Sequence, residues 1–200
     1  LALPAVGLGR VMDHVQEVIN RIQRHGSPER FCALGAEIRF GQPVFADDHA
    51  VELEGRKISA KNWIIATGSS PVVPSLEGLA AVPFWTNETV FSQRILPAHL
   101  IVLGGGPIGL EIAQAFSHLG AKVTIIEFMD QILGPEDADI AALLQTLLEA
   151  EGIKIHTQTK AVKAEMDGAT IRLTIAPVNN DHSSQVIEGD ALFLSTGRKP

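Results

Sequence analysis

Two hundred residues that are 46% hydrophobic and 20% charged suffice to bury one substantial core or two small ones, which excludes a disordered or fibrous chain. A formal charge of -7, a pI near 5.5 and sixteen Lys and Arg residues scattered without a basic block leave no electrostatic footprint for nucleic acid. The apolar runs, such as 101–103 and 123–126, fall far below the roughly 20 residues needed to cross a bilayer, so the sequence predicts a soluble globular protein with no membrane segment.

Val11, Val15, Val18, Ile19 and Ile22 recur at helical spacing, and Gly26 with Pro28 supplies a stop, which predicts one amphipathic helix within the first 25 residues. From 37 to 59 the pattern changes to short β-like pieces at 37–40, 44–45, 51–53 and 57–59, separated by Gly41, Pro43, Asp47, Asp48 and Gly55. These pieces predict a small antiparallel meander. The continuous apolar run Trp63-Ile64-Ile65-Ala66, closed by Thr67-Gly68, reads as a strand covered on both faces. A connector holding Pro74 and Gly78 follows, and Thr86-Asn87-Glu88 predicts the cap of a short helix ending before Pro97.

From His99 onward strand and helix alternate: strand 100–103, helix 108–119, strand 122–126, helix 137–151, strand 153–156. Two βα units in succession imply a parallel sheet with crossover helices. A second meander is expected at 161–165, 170–176 and 185–188, with 179–184 as its loosest loop, before a buried strand at 191–194. The run Ile64-Ile65-Ala66-Thr67-Gly68-Ser69-Ser70-Pro71 is echoed by Phe193-Leu194-Ser195-Thr196-Gly197-Arg198-Lys199-Pro200, so one kind of turn is used twice.

The segment that carries chemistry is Gly104-Gly105-Gly106-Pro107-Ile108-Gly109, a GxGxxG directly after a strand and at the opening of a helix. Gly104 permits the tight turn, Gly106 lets the backbone approach a pyrophosphate, and Gly109 lets the helix pack closely on the sheet. The helix N-terminus then offers unpaired N–H groups and partial positive charge to an anion. Glu127 ends the next strand, 18 positions beyond Gly109, where a carboxylate accepts hydrogen bonds from an adenosine ribose. The same carboxylate repels a 2'-phosphate, and Phe128-Met129-Asp130 offer no Arg, so NAD is expected over NADP. Glu111 flanks an apolar stripe of Ile108, Ile112, Ala115, Phe116 and Leu119, and by residue pattern it is equally a first-turn acid that complements the helix dipole or a functional group.

The single cysteine, Cys32, excludes an internal disulfide and any multi-cysteine metal site, and it fits a reducing compartment, with the cytoplasm as the expected location. The seven histidines have no metal-like spacing, and no metal is assigned. Leu1-Ala2-Leu3-Pro4 is no secretory leader and lacks an initiator Met, so residue 1 is expected to lie inside a longer protein.

Together the Ala-Thr-Gly turn at 66–68, the Gly-Gly-Gly-Pro-Ile-Gly-Leu-Glu run at 104–111, Glu127 and the closing Thr-Gly-Arg-Lys-Pro resemble the pyridine nucleotide-disulfide oxidoreductase family, in the manner of its dihydrolipoamide dehydrogenase and mercuric reductase members. The resemblance covers nearly the whole chain. It implies an α/β fold in which a Rossmann-like NAD-binding domain, a parallel sheet plus β-meander at 72–200, is inserted into a split FAD-binding domain represented by 1–71. By position it implies that Thr67 and Gly68 lie near FAD, that Gly104, Gly105, Gly106, Pro107, Ile108, Gly109 and Glu127 hold NAD, and that Glu111 stands near the nicotinamide carboxamide. Thr196 and Gly197 would mark the boundary of the two sites.

It further implies a homodimeric parent enzyme that passes hydride from NADH through FAD to an unidentified electron acceptor, a disulfide, metal ion or other group. The family's first GxGxxG and its CxxxxC redox pair are absent from these residues, and no catalytic residue is assigned. Two other readings stay open: a non-catalytic dinucleotide-binding module, and a relative of the NADH oxidase, quinone reductase or ferredoxin reductase type.

Overall fold

A computed structural model describes residues 7–180 and 183–200. The expectations for the first four residues and for the middle of the 179–184 loop, His182 included, lie outside the described residues. The chain divides into two compact units, one comprising Gln16–Gly68, the other Ser69–Pro200 together with the chain up to Val15.

Helix α1 (Leu8–Gln23) begins in one unit and ends in the other. Its Leu8 and Met12 are buried and Val15 is half-buried in the core of the larger unit, whereas Ile22 is exposed, so the buried stripe sits further toward the start than the expected one. Pro28 does not simply stop this helix. Ser27 caps a second helix, α2 (Pro28–Ala33), with its hydroxyl accepting from Arg30 N–H at 3.4 Å, because a proline that cannot continue one helix is well suited to begin another.

The first meander is β1 (Val44–Asp47), β2 (Ala50–Leu53) and β3 (Arg56–Ser59), antiparallel in that order. Glu54 and Gly55, at φ 49° and 74°, supply the two left-handed residues that a tight hairpin between β2 and β3 requires. Residues 37–40 do not form the expected strand. The larger correction concerns 63–66, which is not a strand: Ile64 is 92% and Ile65 71% exposed. An apolar run becomes a doubly covered strand only where neighbouring strands take its backbone groups, and among the described residues none pairs with it.

In the larger unit a short strand β4 (Ser70–Pro71) leads into the connector, where a single 3₁₀ turn, Val90–Ser92, replaces the short helix expected there. Thr86 does not cap that turn: its hydroxyl accepts from Glu88 N–H at 3.3 Å in the bend before it, and the turn's own N-cap is Thr89, which makes no side-chain capping bond. The chain then runs through β5 (His99–Leu103), α3 (Pro107–His118), β6 (Lys122–Ile126), α4 (Ala138–Ala150) and β7 (Lys154–His156). The second meander, β8 (Thr159–Asp167), β9 (Thr170–Pro177) and β10 (Gln185–Gly189), is followed by β11 (Ala191–Leu194) and β12 (Arg198–Lys199).

Strands β11, β5, β6 and β7 form, in that order, one fully parallel sheet. Period-two alternation sorts its side chains into two cores. Leu100, Val102, Val123, Ile125 and Phe193 face a core shared with Leu110, Ala113 and Phe116 of α3 and with Leu148 of α4. Ile101, Leu103, Ile126, Leu192 and Leu194 face the opposite core, shared with Ile171, Leu173 and Ile175 of β9. Helices, parallel sheet and meander are therefore three layers. Each fully buried aliphatic or Phe side chain in them contributes about 1.5–3 kcal/mol of transfer free energy. On α3 the buried face is Gly109, Leu110, Ala113 and Phe116, with Ile108, Ile112 and Leu119 half-buried; Ala115, placed in the stripe by the sequence pattern, is exposed. Among the described residues no helix is long and apolar enough to cross a membrane.

Candidate functional site

The parallel sheet reverses its direction of growth at β5, with β6 on one side and β11, reached through the second meander, on the other. At such a switch point the connections leaving the two carboxyl ends diverge, and a crevice opens between them. The glycine-rich turn leaves β5 there. Gly104 takes φ 104°, and a Cβ built on it would stand 2.4 Å from Ser195 O, so both backbone conformation and space require glycine. A Cβ on Gly109 would stand 2.1 Å from Gly104 O, because the first turn of α3 packs directly on that carbonyl.

Gly106 is different. A Cβ on it would meet nothing within 4 Å, and its extended φ of −76° suits any residue. Among the described residues nothing demands glycine at this position. Gly106 is also the N-cap of α3, where no side chain makes a capping hydrogen bond and Pro107 occupies the first turn. The helix therefore presents a bare N-terminus, with partial positive charge, to open space.

Glu127 follows β6 and is 9% exposed. Its Oε2 accepts from Gly105 N–H at 2.5 Å and its Oε1 from Met129 N–H at 2.7 Å, so the carboxylate is turned onto the glycine-rich turn. A carboxylate has about four acceptor positions, which leaves each oxygen one more hydrogen bond to accept. Gly105 is held from its other side by Leu133, whose N–H donates to Gly105 O at 2.9 Å. Glu127 N–H in turn donates to the carbonyl of His156 at 2.8 Å. Burial, and then the charge of Lys154, holds the His156 imidazole below the ordinary histidine range.

Gly197 takes φ 109° and its carbonyl accepts from Val72 N–H at 2.9 Å, while Thr196 Oγ1 donates to Val72 O at 2.9 Å. Beyond them β12 pairs antiparallel with β4, so the residues following the two Thr-Gly turns hydrogen-bond to each other, Arg198 opposite Pro71 and Lys199 opposite Ser70. A cleft of about 150 Å³ lies here, lined by Gly106, Pro107, Ile108, Ser195, Gly197 and Arg198 among others. It is smaller than the roughly 300–1,000 Å³ of a complete small-molecule pocket, a size for one ring or one phosphate rather than a whole dinucleotide. A larger hollow, about 620 Å³, lies in the other unit beside Phe45, Asp47, His49 and Trp63 and includes none of the expected site residues.

The fold thus gathers residues 104–109 with Glu127, and brings Gly197 to the same cleft as Gly106. Glu111 is exposed on α3, one turn beyond Pro107. Thr67 and Gly68 are exposed in the smaller unit, Gly68 at φ 73°. Ser195 is not among the expected site residues, and its only signal in the sequence is the small residue that precedes the second Thr-Gly; Arg198 enters there only as part of the closing Thr-Gly-Arg-Lys-Pro. Among the described residues no group of three or more His, Cys, Asp or Glu could hold a metal ion.

The sequence model of a family described as pyridine nucleotide-disulphide oxidoreductase matches residues 7–200. A mercuric reductase of Lysinibacillus sphaericus is 36% identical over 195 residues, which are 98% of this chain and 35% of that protein. A dihydrolipoyl dehydrogenase of Thermus scotoductus is 36% identical over 171 residues, 82% of this chain and 35% of its own length. Among solved structures, the HOCl-induced flavoprotein disulfide reductase RclA from Escherichia coli superimposes with a TM-score of 0.78 at 28% identity, covering 98% of this chain and 44% of that one. The chain spans less than half the length of each of these relatives.

Proposed function

The chain belongs to the pyridine nucleotide-disulphide oxidoreductase family, and from that premise we propose that it carries the NAD-binding part of an enzyme passing hydride from NADH through FAD to a disulfide, metal ion or other acceptor. Members of the family are flavin-dependent oxidoreductases that use FAD and a nicotinamide nucleotide. Residues 72–200 are the NAD-binding domain and 1–71 part of a split FAD-binding domain. The whole enzyme is a cytoplasmic homodimer.

The observation that carries this reading is Gly106: a glycine that its own chain does not require, at an uncapped helix N-terminus, one residue from a loop tied to a carboxylate. A diphosphate fits that arrangement, because the missing Cβ lets it approach the free N–H groups of α3 closely. Glu127 keeps two acceptor positions for the ribose hydroxyls while its bonds to Gly105 and Met129 fix its direction. Thr196 and Gly197 hold the adjoining turn against Val72, and Glu111, one helical turn from Pro107, would stand near the nicotinamide carboxamide. When bound, the nicotinamide nucleotide would supply a hydride, and the residues of this chain would hold its diphosphate and ribose. Thr67 and Gly68, the residues that would lie near FAD, form an exposed turn.

Titration of the chain with NADH and with NADPH tests the reading; tighter binding of NADPH, or no binding of either, overturns it. A module that binds without catalysis is the second reading, resting on the glycine-rich turn and Glu127, which need no redox group in order to bind. NADH oxidation by the chain with FAD and an artificial acceptor would exclude that second reading.

A further inference from the structure

The parallel register of β11 on β5 sets Leu194 opposite Leu103, which brings Ser195 level with the glycine-rich turn. Ser195 N–H donates to Leu103 O at 2.8 Å, and Ser195 Oγ lies 2.9 Å from both Leu103 O and Gly104 O. With one proton, the hydroxyl donates to either carbonyl or is shared between them. The same oxygen would be 2.6 Å from a Cβ on Gly109, so it fills the corner where the turn, the end of β11 and the start of α3 meet.

Three other polar groups of the turn are held by β6 and the loop beyond it. Gly104 N–H donates to Ile126 O at 2.9 Å, Gly105 N–H to Glu127, and Gly105 O accepts from Leu133 N–H. Gly104 O faces the other way, toward β11, and Ser195 is the side chain that donates to it.

We infer that Ser195 is a positioning residue for the dinucleotide loop: its hydroxyl holds Gly104 O, on which Gly109 and the first turn of α3 pack, and so fixes the N–H groups offered at Gly106 and beyond. A binding loop fixed before its ligand arrives loses less conformational freedom on binding, and the ligand binds more tightly for it. The inference rests on the dinucleotide reading above.

Ser195→Ala removes one oxygen and adds no atom. Two measurements on the 200-residue chain decide the matter. The first needs no nucleotide: amide hydrogen exchange across 104–109 accelerates about fivefold to tenfold, the fold-change for one lost hydrogen bond. The second is the Kd for NADH and for ADP-ribose, which carries the same diphosphate without the nicotinamide; both rise about fivefold to tenfold at room temperature, where the unfolded fraction is negligible. Unchanged exchange, or a lowered Tm with both Kd values unchanged, overturns the inference and leaves Ser195 a merely structural residue. If the unsubstituted chain binds neither ligand, the dinucleotide reading itself falls, and the nucleotide-free exchange data show whether the clamp exists without it.

Discussion

Gly106→Ala separates a glycine kept for a ligand from one kept for the fold. A Cβ at 106 meets nothing within 4 Å, whereas at 104 and 109 it would stand 2.4 Å from Ser195 O and 2.1 Å from Gly104 O. Two small stability effects oppose each other at 106: alanine is a poorer N-cap than glycine, and it lowers the entropy of the unfolded chain by a comparable amount. The net change is within about 0.5 kcal/mol, or about 2 °C in Tm for a chain of this size. Under the proposed reading binding behaves differently, because the methyl group would occupy the space a diphosphate needs and would hold it away from the helix N-terminus. Losing one charge-assisted hydrogen bond, worth about 1.5–3 kcal/mol, raises the Kd for NADH by about tenfold to a hundredfold. Isothermal titration with NADH, beside a thermal melt of each variant, measures both quantities. A Gly106→Ala chain that binds NADH as tightly as the parent would refute the reasoning, as would one whose Tm falls as far as that of Gly109→Ala.

Three further substitutions probe the surroundings. Glu127→Gln retains one carbonyl for two N–H donors and turns its amide N–H₂ toward Gly105 or Met129, so NADH binding weakens about tenfold and a thermal melt falls by several degrees, from a buried mismatch of about 1–3 kcal/mol. Met12→Ala costs about 2–5 kcal/mol because Met12 is buried against the same core as Val90 and Phe116, whereas Asp13→Ala, which removes the exposed ion pair with Arg94, costs under about 1 kcal/mol; urea melts that rank the two in the opposite order would disprove the packing of α1. His99, hydrogen-bonded to Thr124 Oγ1 at 2.9 Å, has its imidazole held below 6.5 by burial and then by Lys122, against the opposing charge of Asp190. The unfolded chain therefore takes up a proton that the native one resists, and stability falls as the pH drops through about 6.5. The loss of Tm between about pH 7.5 and about pH 5.5 should accordingly be smaller in His99→Gln than in the parent, since carboxylates such as Glu151, held below 4.5 by Gln114 and then His118, contribute only at lower pH.

What could be read in the sequence was what short stretches of chain decide by themselves. Gly104 is required by a positive φ within its own turn, and Leu100 to Leu103 alternate between two cores because successive side chains of a strand point to opposite faces, so β5, the glycine-rich turn, α3 and β6 appear within a few residues of their expected bounds. The Trp63-Ile64-Ile65-Ala66 run departs from its expected strand because apolar side chains show a tendency to avoid water without saying which strands will provide the cover. Pro28 reads equally as a stop and as a start, because the same missing N–H ends one helix and suits the beginning of the next; only the Ser27 cap decides between them. Ser195 was passed over for a third reason. Its role depends on the pairing of β11 with β5, which brings together residues 92 positions apart, and a hydroxyl before a Thr-Gly has no meaning until Gly104 is beside it. The crevice is accordingly half local and half topological: the chain from β5 to Glu127 makes the face that would meet a nucleotide, and the return of β11 after the second meander sets the distance at which that face is held.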